Sequence, residues 1–261
     1  MSTMEQLIQD LNSPHNQGQP EMIDMIQRQI QRLQSEPAAW QGAFDLLNTD
    51  DNVLRFYGAL TLGLKVNNDW DRDGIGKNRE TLSQVTEQLV VIYVRLALAE
   101  GTTDLVVSKL SQALAAVFAK PDTAWAFPCR QVLASMLAGR YLPQAEVPSM
   151  TDVLTADTSV TAQALKAVLR LALAVHEEVA ATPQEQTSPR VQVQLSNNAT
   201  DVWQILHFTL IAFSDNAKLA RDQNFSYQLR VDWSKGNAVL TLQEGLQQIQ
   251  VCVDCPPYRI N

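Results

Sequence analysis

Apolar residues recur at three-and-four spacing from the start of the chain to about residue 214, in segments of about ten to twenty residues. Pro, Gly, Asp and Asn separate the segments. The spacing predicts a first helix over Met4 to Asn12, with Leu7, Ile8 and Leu11 on one face. A second, Pro20 to Leu33, opens on a proline suited to a first turn and repeats Met22, Ile23, Ile26, Ile30 and Leu33. A third begins at Pro37 and carries Trp40, Phe44 and Leu47, and a fourth, capped by Asp51 or Asn52, runs to Val66. After a polar loop, Asn67 to Lys77, further helices are expected over Glu80 to Glu100, Thr103 to Ala119, Asp122 to Leu137, Ser149 to Leu154 and Ser159 to Ala181. Thr182 to Arg190 is expected to be a polar linker, followed by an apolar helix from Ala199 to Phe213.

Helix pairs of about forty residues match the length of a HEAT or armadillo unit, and such pairs bury their apolar faces by stacking. The predicted fold is therefore all-α, an α–α superhelix over 1–213, with a compact helical bundle as the alternative. Residues 214–261 are expected to form an atypical tail. There Tyr227, Leu229, Val231 and Trp233 alternate with polar residues, Ser234 to Asn237 has turn chemistry, and Val239, Thr241, Ile249, Val251 and Val253 favour strands. We read 225–261 as weakly structured or as a short hairpin.

Composition narrows the function. The 261 residues carry 20 Lys+Arg against 28 Asp+Glu, a formal net charge of -8, with no basic stripe of the kind that neutralises phosphates; direct nucleic-acid binding is not expected. The longest apolar run, Leu89 to Ala99, is broken by Arg95 and is shorter than the roughly 20 residues of a membrane span. The N-terminus lacks the basic leader and apolar stretch of a signal peptide. Three cysteines, Cys129, Cys252 and Cys255, fit a reducing compartment, so a soluble, intracellular protein without membrane association is expected.

The segment from Ala39 to Trp70, AWQGAFDLLNTDDNVLRFYGALTLGLKVNNDW, places an aromatic helix, an acidic turn, an aromatic-Gly-Ala phrase, a Lys65-Val66 pair and an Asp69-Trp70 dipeptide in order. It resembles the second HEAT repeat of the importin-β (karyopherin) nuclear transport receptors, particularly the importin-thirteen and transportin-three branch and its fungal relatives. Met22 to Pro37 resembles the family's first repeat, and the likeness extends over roughly residues 4–120. It implies a curved helical arch that binds the GTPase Ran in its GTP form, Phe-Gly nucleoporins and protein cargo, in nucleus and cytoplasm. A full receptor of that family is far longer, so the resemblance implies an N-terminal portion. Gly58 and Gly63, each costing up to about 1 kcal/mol inside a helix, predict close helix approach. Phe56, Tyr57, Leu60 and Leu64 are read as the packing stripe. Arg55 and Lys65 are the residues of that helix expected to face a partner, together with Asp69 and Trp70.

A rival motif is formally complete. Asp69, Asp71, Asp73, Gly74 and Glu80 fit the D-x-D-x-D-G-x5-E calcium loop, with oxygen ligands at one, three and five and a bidentate carboxylate at twelve. Against it, Gly76 holds the normally aliphatic eighth position, Lys77 and Arg79 lower the local negative charge, and the chain has no second loop. Other chemistry is thin. Cys252-Val-Asp-Cys255 is half a zinc site, His176-Glu177-Glu178 lacks the second His of H-E-x-x-H, and Gly74-Ile-Gly76-Lys77 lacks the rest of a Walker loop. No enzyme activity, cofactor or metal is expected. The calcium module and a generic helical scaffold are the alternatives to a transport receptor.

Overall fold

The computed structural model describes residues 3–16, 18–156, 160–182, 188–214, 225–232, 237–244 and 247–254. The chain divides into two compact units, Met1–Asn198 and Ala199–Asn261.

The first unit is built of helices: α1 Met4–Leu11, α2 Pro20–Ser35, α3 Ala39–Leu47, α4 Asn52–Asp69, α5 Arg79–Leu98, α6 Asp104–Ala119, α7 Pro128–Ala138, α8 Met150–Thr155 and α9 Ala162–Ala181. A final helix, α10 Pro189–Ser214, begins in this unit. Most starts are where capping chemistry puts them. The Thr3 hydroxyl accepts from the Gln6 amide in a capping box, Asp51 accepts from Val53 and Leu54, and Asn78 accepts from Glu80 and Thr81.

Consecutive helices pack in pairs, α1 on α2, α3 on α4 and α5 on α6, and the pairs join through α4 on α6 and α6 on α9, with α5 against α7. This all-helical packing is compatible with a superhelix. Small side chains bring the central row together, since Ala113, Ala115 and Ala116 of α6 and Ala164, Ala167 and Ala172 of α9 are all buried. Leu7, Ile8, Ile26, Ile30, Leu46 and Leu54 form a core under the first pair. Deeper in, the buried Tyr93 hydroxyl donates to the Ala167 carbonyl at 2.7 Å and lies 2.9 Å from Ser111 Oγ, tying α5 to α6 and α9. Burial raises its pKa, against the smaller opposing effect of the Ser111 hydrogen bond.

Several expectations shift. Helix α4 continues three residues beyond Val66 into the expected loop. The helix expected from Asp122 starts at Pro128, because a residue before proline is steered out of the α region, and Phe127 sits at φ -140°. The last helix starts at Pro189 rather than Ala199. Val191, Gln194 and Asn198 are its buried positions there, and the two amides break the apolar periodicity. Residues 183–187 of the expected linker, Ser159, the expected turn at 234–236 and Cys255 lie outside the described residues.

Of the two glycines on α4, only Gly58 meets a neighbour: a Cβ there would lie 2.8 Å from the Ala43 carbonyl oxygen and 2.9 Å from Leu47 Cγ. Gly63 has open space around it. The expected stripe is also rotated. The buried face of α4 is Leu54, Gly58, Ala59, Thr61, Leu62, Lys65, Val66 and Asp69, whereas Phe56, Tyr57 and Leu60 are half-buried and Leu64 is exposed.

In the second unit the backbone forms an antiparallel meander, β1 Phe225–Asp232, β2 Asn237–Glu244 and β3 Gln247–Asp254, in the order β1-β2-β3. Leu229 pairs with Leu240, and Leu240 with Val251.

Candidate functional site: a buried lysine between two aspartates

Four residues at the end of α4 and in the turn after it, Lys65, Asp69, Arg72 and Asp73, form a compact charge cluster in the first unit. Lys65 and Asp69 stand one turn apart on the inward face of α4, a spacing that brings side chains together. The chain then turns through Trp70 to Gly74, whose φ of 71° is the left-handed geometry glycine accepts without penalty. Ile75–Lys77 adds a 3-10 turn that leads into α5.

Lys65 is fully buried. Its Nζ lies 2.8 Å from Asp69 Oδ2 and 2.7 Å from Asp73 Oδ2, and donates to the Glu36 carbonyl at 3.1 Å. An ammonium has three hydrogens, and here each has an acceptor. The Trp40 ring centroid, 5.8 Å from Nζ, adds a cation–π contact. Arg72 completes the set: its guanidinium lies 2.9 Å from Asp69 Oδ1 and 3.3 Å from Asp73 Oδ1, and it donates to the Ser35 carbonyl at 2.6 Å. Trp40 Nε1 donates to Asp73 Oδ2 at 2.9 Å.

Two cations meet two carboxylates, so the cluster is neutral as a whole. Desolvation alone would raise the Asp73 pKa; hydrogen bonds from Lys65, Trp40 and Arg72 outweigh it and hold the carboxyl below its ordinary value. The arrangement pins the turn after α4 to the corner between α2 and α3. It offers no unengaged base or nucleophile, because both carboxylates are engaged by cations.

These positions correct the sequence expectations. Lys65, Asp69 and Trp70, expected to face a partner, point inward: Lys65 is 0% exposed, Asp69 6% and Trp70 1%. Lys65 and Asp69 lie on the inward side of α4, and their charges compensate one another, which is what makes the burial affordable. The Trp70 indole Nε1 is buried without a hydrogen-bond partner. Arg55 is half-buried; its guanidinium reaches Asp50 at 3.1 Å, while its Nε is buried and unpartnered.

The residues do not fit a calcium ion. Asp69 and Asp73, which would be ligands one and five, already hold the Lys65 ammonium where a cation would sit, and Asp71 and Glu80 are exposed. Among the described residues no group of three or more His, Cys, Asp or Glu is placed to hold a metal ion.

Sequence reasoning passed over Arg72 and treated Trp40 only as a packing residue. The signal that could have found them was Lys65 with carboxylates four and eight positions on, at an inward point of the stripe Leu54, Gly58, Leu62 and Val66. The remaining sequence candidate in this unit is satisfied locally, His176 Nδ1 lying 2.7 Å from the Ala172 carbonyl of its own helix. Comparison with protein-family models, curated proteins and solved structures finds no match for this chain.

Proposed function

We propose that the chain is a helical-repeat scaffold for protein partners, an importin-β-like segment that takes part in carrying cargo between cytoplasm and nucleus with Ran GTPase and Phe-Gly nucleoporins. One observation carries the reading: successive helix pairs, α3 with α4 and α5 with α6, join side by side through α4, α6 and α9. A solenoid built in this way presents repeated helix faces to a protein partner. The segment that resembles the karyopherin repeat, Ala39 to Trp70, coincides with α3, α4 and the turn that the lysine cluster pins. In this reading Lys65, Asp69, Asp73 and Trp40 act from the interior, by fixing the angle at which α4 leaves the α2–α3 corner. The net charge of -8 suits basic partners, which it attracts at long range.

The test is a binding measurement on the purified chain with Ran carrying a non-hydrolysable GTP analogue, with Ran carrying GDP, and with Phe-Gly repeat peptides. Preference for the GTP form is the expected result. Equal or absent binding to both forms, together with no response to the peptides, would remove the transport reading and leave a scaffold with other partners.

A further inference from the structure

A cleft of about 540 Å³ opens between the start of α5, the loop before α7, the segment after α7 and the first turn of α10. Three cations line it, Lys77, Arg79 and Arg190, against one carboxylate, Asp122. All three cations are exposed, and none makes an ion pair with a described residue. In an acidic chain, three cations against one carboxylate among the described lining residues favour an anion there, with Glu87 acting on Tyr141 as the nearest opposing charge that the structure shows. The walls add neutral hydrogen-bonding groups, among them Ser83 and Tyr141. In the lining lies Thr123, 3% exposed, with its hydroxyl buried and unpartnered.

We propose that this cleft binds a phosphoryl group. Three cations in one lining suit a phosphate dianion better than a single carboxylate. Two guanidinium forks and an ammonium are the donors that phosphate oxygens take most strongly. The volume falls in the range of small-ligand sites, but the lining is charged and polar rather than apolar, which selects an anion over a hydrophobic ligand. A phosphorylated side chain of a protein partner and a free phosphate compound would supply the same chemistry. The site lies apart from the Lys65 cluster and does not depend on the transport reading.

The test is isothermal titration of the full chain with inorganic phosphate, with a short Ser/Gly/Ala peptide containing one phosphoserine, and with the same peptide unphosphorylated. The phosphate-bearing probes are expected to bind and the unphosphorylated peptide not to. The double variant Lys77→Ala/Arg79→Ala should lose about tenfold or more in affinity, as for two charge-assisted contacts. Arg190→Ala should lose less, and Arg28→Ala, an exposed change on α2, nothing. All four positions are exposed, so circular dichroism should show unchanged folding. A phosphopeptide that binds more tightly than inorganic phosphate assigns the cleft to a modified partner; equal affinities assign it to a free phosphate compound. No binding of either phosphate probe at millimolar concentration, or binding that Lys77→Ala/Arg79→Ala leaves intact, overturns the proposal.

Discussion

The ammonium of Lys65 lies 2.7 Å from the carboxylate of Asp73, eight residues later in the chain and beyond the end of α4, with no part of the lysine side chain exposed to solvent. Asp69 and the Glu36 carbonyl take its two remaining hydrogens. A lysine this deep is tolerated only because its charge is met on every side, so removing any member leaves another buried and uncompensated.

Lys65→Met should therefore destabilise the protein by about 3–5 kcal/mol, the cost of breaking a buried ion pair from one side. Urea unfolding of the variant against the parent measures it, with attention to the midpoint rather than the slope. A loss below about 1 kcal/mol, the value of a surface pair, would show that the cluster is solvated.

Acid should act through Asp73. Its folded pKa lies below the ordinary 3.8, so its contribution to stability is fully present above that value and is lost as pH falls through the lower folded value. The protein should lose stability on going from about pH 5 to about pH 3, and Asp73→Asn, less stable at neutral pH, should show a shallower loss over the same range. Thermal melts at stepped pH decide the point. Parallel pH curves for the two proteins would contradict it.

The two glycines of α4 should respond in opposite senses to alanine. At Gly58 the new methyl would meet the backbone oxygen of Ala43 at 2.8 Å, and backbone cannot swing aside, so α3 and α4 must separate. Overpacking of that kind costs about 1–3 kcal/mol, more than the helix propensity gained. At Gly63 nothing stands within 4 Å, and Gly63→Ala should stabilise by up to about 1 kcal/mol. Paired denaturation curves check both, and the signs matter more than the sizes.

The legibility of this chain follows the same division. Helices α1, α2 and α3 could be read because their inward faces are mainly apolar and a capping threonine or a proline stands at or just before their starts, and α6 because apolar side chains dominate its inward face. The reading failed where polar residues face inward. Gln194 and Asn198 hide the first ten residues of α10, and Lys65 with Asp69 turned the apparent stripe of α4 away from its buried face. A periodicity argument counts an inward lysine as outward, because nothing local records that two aspartates and a carbonyl will arrive to meet it. The cluster joins Ser35 and Glu36 to Asp73, positions that only the tertiary fold brings together.

Tyr93→Phe tests the join between helix pairs. The hydroxyl is buried and serves both the Ala167 carbonyl of α9 and Ser111 of α6, so its removal unmakes two contacts and leaves a small void. A loss of about 1–3 kcal/mol is expected. Ser111→Ala should cost less, since the tyrosine keeps its own acceptor. The midpoints of the two variants in one denaturation series provide the comparison.

Calcium should leave the protein indifferent, although Asp69 to Glu80 satisfies the calcium-loop pattern in full. For an ion to take the first and fifth ligand positions, the Lys65 ammonium would have to leave Asp69 and Asp73. Glu80, the would-be bidentate ligand, lies in the first turn of α5 and faces solvent, where its charge favours the helix start instead. Millimolar Ca²⁺ should therefore not move the melting midpoint, and Glu80→Gln should not change that result. A rise of several degrees with calcium that Glu80→Gln abolishes would mean that the lysine can be displaced and that the loop is a metal site after all.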